Sequence, residues 1–299
     1  MLFKTQFKAM GSPCELYFYY KKTQPAQQIA NQVIQEIKRL ELKYSRFLNT
    51  SFLTQINQSA GLKQGIQVDN ETATLLDYAQ TAYQQSEGLF DISSGCLSQL
   101  WDFKQAKMPT QSHIKKKLRA VGWEKTRWQN STLFLPSQMQ IDFGGFVKEY
   151  AADCAVQICR QSQINSGLVD LGGDLSIIGA MPNQQPWSIG IHHPRLADTA
   201  LAKIPIQQGG LASSGDYERF FIKNGIRYCH IINPKTGYPI QNNLISVSIL
   251  AEQCLIAGTA TTIALLKAQE QAVDWLDTLG LPYLCMDKSQ KIKGTILKT

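Results

Sequence analysis

Leu211–Pro239, LASSGDYERFFIKNGIRYCHIINPKTGYP, is dense with structural punctuation. Two strand-like runs, Phe220–Ile222 and Arg227–Ile232, face each other across Asn224-Gly225, a dipeptide suited to the tight turn of a β-hairpin. Before them, Ser213-Ser214-Gly215 has side chains small enough to let the backbone approach a ligand. After them, Asn233-Pro234-Lys235-Thr236-Gly237 reads as a second turn. Between the two turns lies His230, which can move a proton near neutral pH.

Outward from this hairpin, strands are expected at Leu16–Tyr20, Met139–Phe143, Leu168–Leu171, Leu175–Ile178, Trp187–His192 and Ser246–Leu250. Ile29, Val33, Ile37, Leu40 and Tyr44 recur at spacings of three and four, which predicts a helix over Gln27–Tyr44. A second helix is expected over Asn70–Gln85, with Leu75, Leu76, Ala79 and Tyr83 inward and Gly88 ending it. Further helices are expected over Val147–Ile158, Leu255–Lys267 and Glu270–Leu279, and Pro194–Ala202 reads as a surface connection. Strands and helices come in blocks rather than in strict alternation. The reading is therefore an α+β fold, an antiparallel or mixed β-sheet flanked by helices. It forms a single domain over residues 1–299, undivided or made of closely packed subdomains.

The chain has 299 residues, 43 % of them hydrophobic and 18 % charged, as expected of a globular protein with a large core. Its formal charge of +7 invites a nucleic-acid, membrane or phosphate partner. Only Lys115-Lys116-Lys117-Leu118-Arg119 forms a basic cluster, and it reads as a solvated helix face. With no arginine-rich stripe and no aromatic platform, a nucleic-acid partner is not expected. No run is long enough to span a membrane, and the first twenty residues lack the apolar core of a signal peptide. The seven cysteines are widely spaced and form no CxxC pair, so they read as free thiols in a cytoplasmic protein.

Gly144-Gly145 joins an expected strand to a helix that Lys148 opens. Backbone N–H groups at a helix start attract phosphate, bare glycines leave room for it, and a lysine adds charge. Read alone, the pair is more simply a tight turn beside a surface lysine. Gly172-Gly173-Asp174 likewise reads as an ordinary turn, and Leu89-Phe90-Asp91 as a helix end with a buried phenylalanine. His230, beside Tyr228, is by itself an unremarked strand histidine. The adjacent pair His192-His193 would point to opposite strand faces and is not read as a metal site.

Taken together, Met10–Ser12 (MGS), Ile141–Asp153 (IDFGGFVKEYAAD), Gly167–Asp174 (GLVDLGGD) and HIINPKTGYP from His230 resemble, in this order and spacing, the ApbE family of flavin transferases. Those enzymes move FMN from FAD onto a threonine of an acceptor flavoprotein, and AMP leaves. The resemblance runs from about Met10 to Leu266. It implies that His230 is the catalytic base. It also implies that Met10, Phe47, Leu89, Phe90, Asp91, Asp142, Lys148, Ser214, Gly215 and Ile232 line the FAD site. ApbE-like proteins are often exported lipoproteins, and the export signal is not seen here.

The chain departs from the family pattern in two places. Asn233 replaces the aspartate of HIxDPxTGxP. The resemblance also implies magnesium held by the backbone carbonyl of Gly145 and by a D-x-x-x-T signature, yet that signature reads Gly258 to Thr262, and a second acidic position is Thr261. Magnesium prefers charged oxygen ligands, so a weakened metal site is expected. Either FMN transfer persists with help from FAD's own diphosphate or from Lys148, or the protein binds FAD, or slowly hydrolyses it, without transferring FMN.

Overall fold

The computed structural model describes residues 1–298. Strands β1 (Leu2–Ala9) and β2 (Ser12–Tyr19) form a hairpin, followed by helix α1 (Thr23–Tyr44). Next come α2 (Phe52–Gln58), the short β3 (Ile66–Gln67) and α3 (Asn70–Gln85). A stretch of short elements follows: α4 (Gly95–Ser98), α5 (Gln111–Leu118), β4 (Arg127–Gln129) and β5 (Thr132–Phe134). Helix α6 (Val147–Gln161) leads into β6 (Gly167–Leu171) and β7 (Asp174–Gly179), then β8 (Trp187–His192), β9 (Ala200–Ile206) and β10 (Gly209–Gly215). The hairpin β11 (Phe220–Lys223) and β12 (Ile226–Cys229) precedes β13 (Leu244–Ala251), α7 (Cys254–Leu266), α8 (Gln269–Thr278), β14 (Tyr283–Asp287) and β15 (Ile292–Gly294).

Eight strands make the main sheet in the order β1-β2-β6-β7-β10-β13-β14-β15, each antiparallel to its neighbours. The α+β expectation holds. Both faces of the sheet are covered. Val169, Leu171, Ala212, Val247 and Ile249 pack into the core formed with α1, α6 and α7. Their neighbours Leu168, Leu175, Ile177, Leu211 and Leu284 pack against Ile191, Ile204 and Ile206 of the β8–β9 hairpin. Successive strand residues point to opposite faces, so a doubly covered strand is buried on both sides and mostly apolar. That is why β13 is buried at nearly every position.

Helix α1 buries Ala26, Ile29, Ala30, Val33, Ile37, Leu40 and Tyr44 along one stripe. Helix α3 runs over the expected Asn70–Gln85; the Asp69 carboxylate accepts the Thr72 N–H at its start. Beyond its end, Gly88 takes a φ of +78°. The hairpin turn is as expected, with Asn224 at φ +52° and Gly225 at +76°.

Three expectations need correcting. Met139–Phe143 is not a strand. The Asn57 side-chain amide takes both backbone groups of Ile141, and the Asp142 N–H goes to the Ile92 carbonyl, so no neighbouring strand can pair there. The strand after the hairpin turn stops at Cys229, short of the expected end: the His230 N–H still reaches the Arg219 carbonyl, and Ile231 and Ile232 lie beyond the strand. The connection after Pro194 ends at Thr199, since Ala200 already belongs to β9. Strand β1 was not expected at all. The basic cluster lies on α5, with Lys115 and Lys116 exposed and Ile114 buried.

This topology brings several turns to one edge of the sheet. Cys14 pairs with Leu171 and Leu211 with Leu175, while Gly215 pairs with Ser246. The Met10-Gly11 turn, the Gly172-Gly173 turn and the end of β10 therefore lie side by side, and α6 and α7 pack over them.

Candidate functional site

At this sheet edge Lys148, in the first turn of α6, places its ammonium 2.7 Å from the Asp174 carboxylate and beside Gly172. A Cβ on Gly172 would lie 2.6 Å from that of Ser12, so the two turns meet only because one residue there has no side chain. Burial opposes the charge on Lys148, but Asp174 and Glu149 outweigh it, and the amine is held protonated. The second Asp174 oxygen accepts the Ser213 N–H. Ser213 and Ser248 share a hydrogen bond of 2.7 Å. Ser214 meets the Thr261 hydroxyl at 2.8 Å, and that hydroxyl donates to the Gly258 carbonyl. Gly215 lies under the Tyr217 ring, where a side chain would collide.

Gly258 is in the middle of α7, facing α6. A Cβ built on it would sit 2.6 Å from Cγ, 2.7 Å from Oε1 and 2.9 Å from Cδ of Glu149. The room left by the missing side chain at 258 is thus filled by a carboxylate from the facing helix. Glu149 is 9 % exposed, and its Oε2 meets no hydrogen-bond donor among the described residues. Burial, and then the Asp174 charge, push its pKa above the usual carboxylate range. Thr262 is half-buried on the same helix as Gly258, while Gly144 and Gly145 are exposed, with the Phe90 ring beneath Gly145. Among the described residues, no three of His, Cys, Asp and Glu gather as a metal nest.

His230 follows directly on β12. Its Nδ1 is buried without a hydrogen-bond partner among the described residues. Burial first, then the charges of Arg219 and Lys148, lower its pKa to about 4, so it is neutral at pH 7 and one ring nitrogen is free to accept a proton. Ile232 packs with Cys96, Leu97 and Val121 and bridges to Pro239.

The remaining expected residues lie around the α6 start and the β1–β2 turn. Met10 has φ +50°, and its N–H donates to Glu41. Asp142 receives the Gly144 N–H on one oxygen and Arg46 on the other, at 2.8 and 2.9 Å. The same guanidinium donates to the Gly95 carbonyl and the Ser98 hydroxyl. Phe47 is 81 % exposed with the Arg46 guanidinium against its ring, so a flat ring remains open to stacking. A polar cleft of about 260 Å³ opens here between Arg46, Asn49, Thr54, Gln99 and Asp142. Leu89 is half-buried and Phe90 buried. The Asp91 carboxylate is already occupied, accepting from Ser93 N–H, Ser93 hydroxyl and Trp123 N–H.

Three residues of this region were not singled out in the sequence. Arg46 adjoins Phe47 in YSRF, and its pairing with Asp142 needs the fold to be seen. Glu149 follows Lys148 in the string FVKEY, and its place against Gly258 shows only in the fold. Asp153 accepts the Cys254 and Leu255 N–H groups and the Ser176 hydroxyl, which caps α7 from within α6.

A model of the ApbE family matches residues 10–285. The chain is 29 % identical to the FAD:protein FMN transferase of Haemophilus influenzae over 250 residues, 80 % of this chain and 72 % of that protein. It is 31 % identical to the FAD:protein FMN transferase of Salmonella typhimurium over 241 residues, 76 % of this chain and 68 % of that protein. Its fold matches the crystal structure of the ApbE protein from Thermotoga maritima with a TM-score of 0.90 at 29 % identity, covering 98 % of this chain and 97 % of that one. It also matches the flavin transferase ApbE from Vibrio cholerae, with a TM-score of 0.88 at 22 % identity over 98 % and 96 % of the two chains.

Proposed function

The chain belongs to the ApbE family, and from that premise we propose that it moves FMN from FAD to a threonine hydroxyl of an acceptor flavoprotein, residues 1–299 acting as one transferase domain. The observation that carries this reading is the meeting of Lys148, the Ser213–Gly215 strand end and the Gly172-Gly173 turn at one sheet edge, with the neutral His230 close enough to feel the Lys148 charge.

The FAD diphosphate would lie between the start of α6 and the end of β10. The Gly145 N–H of the exposed Gly144-Gly145 turn, its neighbour's being held by Asp142, and the Lys148 ammonium would stabilise its charge there. Phe47 and Met10 would face the ring systems, and Asp142, held by Arg46, would orient the nucleotide. The threonine oxygen attacks the FMN-side phosphorus, the bridging P–O bond breaks, and AMP leaves with that electron pair. His230 takes the hydroxyl proton. An imidazole with a pKa near 4 is a weak base, and the negative charge of bound FAD would raise it toward the working range. Magnesium fits a site with a buried carboxylate oxygen still lacking a partner; the Gly145 carbonyl and Thr262 hydroxyl would hold it, and it offsets phosphate charge.

The reading of this protein as an FAD binder or FAD pyrophosphatase rested on the missing carboxylate at position 258. With a carboxylate from Glu149 packed against Gly258, that ground is weaker. Among the described residues no helix is long and apolar enough to cross a membrane, and all seven cysteines are free thiols, which supports a reducing, cytoplasmic setting.

The test is a flavinylation assay with purified protein, FAD, magnesium and a flavoprotein domain bearing an acceptor threonine. Covalent flavin fluorescence on the denatured acceptor is expected. His230→Ala should abolish labelling while FAD affinity stays within a few-fold. Strong FAD binding by the native protein with no labelling of several acceptors would overturn the transferase reading, and joint loss of binding and labelling in His230→Ala would remove the base assignment.

A further inference from the structure

We propose that Glu149, on α6, supplies the carboxylate ligand for a hard divalent cation, Mg²⁺, in the space beside Gly258 of α7. The inference rests on the flavin-transfer reading and deepens it, because it assigns a residue to a role that the 258 position cannot fill.

Four observations converge. Glu149 is more than nine-tenths buried, and its Oε2 has no donor among the described residues, a costly state for an acceptor oxygen unless something else completes it. Its carboxylate occupies the space a side chain on Gly258 would take, 2.6–2.9 Å from where that Cβ would be. It is the acidic residue of the first turn of α6, which follows the Gly144-Gly145 turn directly, and helical side chains tilt toward the N-terminus, that is, toward that turn. Finally, the Lys148 ammonium is paired with the buried Asp174, and among the described residues no ion pair reaches Glu149, so a dication would supply the positive charge that its carboxylate lacks. Magnesium is commonly held by one or two carboxylates together with water and substrate phosphates, and this donor set has that form.

The probe is Mn²⁺, whose free-ion electron paramagnetic resonance signal reports binding without any turnover. Titrations use native protein, Glu149→Gln, Glu149→Gly, and the exchange variant Glu149→Gly with Gly258→Asp, each in the presence of FAD. FAD binding itself is measured separately in chelator. Expected are Mn²⁺ binding by the native protein and about a tenfold or greater loss in Glu149→Gln, with unchanged melting and unchanged FAD affinity in chelator. The exchange variant should recover most of what Glu149→Gly loses. Equal Mn²⁺ affinity in native protein and Glu149→Gln overturns the proposal. Where Glu149→Gln fails to fold, an exchange variant no better than Glu149→Gly does the same. Failure of FMN transfer with Mn²⁺ bound through Glu149 would sink the transferase reading alone and leave this assignment standing.

Discussion

Gly258→Ala tests the packing between α6 and α7 most directly. The added methyl would sit 2.6 Å from Glu149 Cγ and 2.9 Å from Cδ, against the roughly 3.5–4.0 Å at which carbon atoms rest. An encroachment of about 1 Å in a buried interface costs about 1–3 kcal/mol. Against this, replacing glycine by alanine within a helix gains about 1 kcal/mol. In native protein the crowding should win or draw, for a net loss of up to about 2 kcal/mol. At about 2.1 cal/mol/K of unfolding entropy per residue, a chain of 299 residues loses about 3 °C of melting temperature for that loss. In a Glu149→Ala background the obstacle is gone, and the same change should raise the melting temperature by about 1–2 °C. The sign therefore reverses with the residue at 149. The assay is a four-protein thermal and urea unfolding cycle in chelator, which isolates the coupling from each single effect. A Gly258→Ala substitution that stabilises both backgrounds equally would refute the reasoning, because it would mean that Glu149 does not occupy the space beside Gly258.

Two further outcomes follow from buried polar groups. Asp91→Ala strands the Ser93 amide and hydroxyl and the Trp123 amide, and should cost about 2–4 kcal/mol in urea unfolding; a variant of native stability with impaired FAD binding would show that the carboxylate serves the ligand instead. His230 has its pKa lowered to about 4 by burial and then by Arg219 and Lys148, so between pH 6.5 and 4 the unfolded chain binds the proton more readily. Stability present above pH 6.5 is lost as pH falls through that window, by about 3 kcal/mol from this residue. His230→Gln lacks that loss, so the stability gap between it and native protein should shift in its favour by that amount from pH 7 to 4; a gap independent of pH would show that the imidazole is not desolvated.

Local signals exposed much of the fold. Helix α3 was legible to the residue because Asp69 caps it and Gly88 marks its end, both within the segment itself. The β11–β12 turn was legible from Asn224-Gly225 for the same reason. Strand β1 was missed: it is an edge strand with a largely polar exposed side, LFKTQFKA, and its partner lies across a turn that was read for its ligand-binding residues. Met139–Phe143 has the composition of a strand, but the Asn57 side chain, far away in the sequence, takes the backbone bonds that a ladder would need. In the site, Lys148, His230 and the small residues could be picked out because they sit in recognisable strings. Glu149 could not, since its meaning depends on a glycine in a distant helix. Arg46 and Asp142 likewise become a pair only after folding.

Asp153 binds the first amides of α7 while belonging to the second turn of α6, so one carboxylate fixes the sliding register between the two helices. Charge-assisted bonds of this kind are short and directional. They act as a locating pin: α7 cannot shift along or rotate against α6 without pulling both amides off their acceptor. The distance from Glu149 to the bare flank of Gly258 is therefore held by a side chain one turn away on α6. A loosened pin, as in Asp153→Ala, would leave both site residues in place chemically and still let their spacing drift.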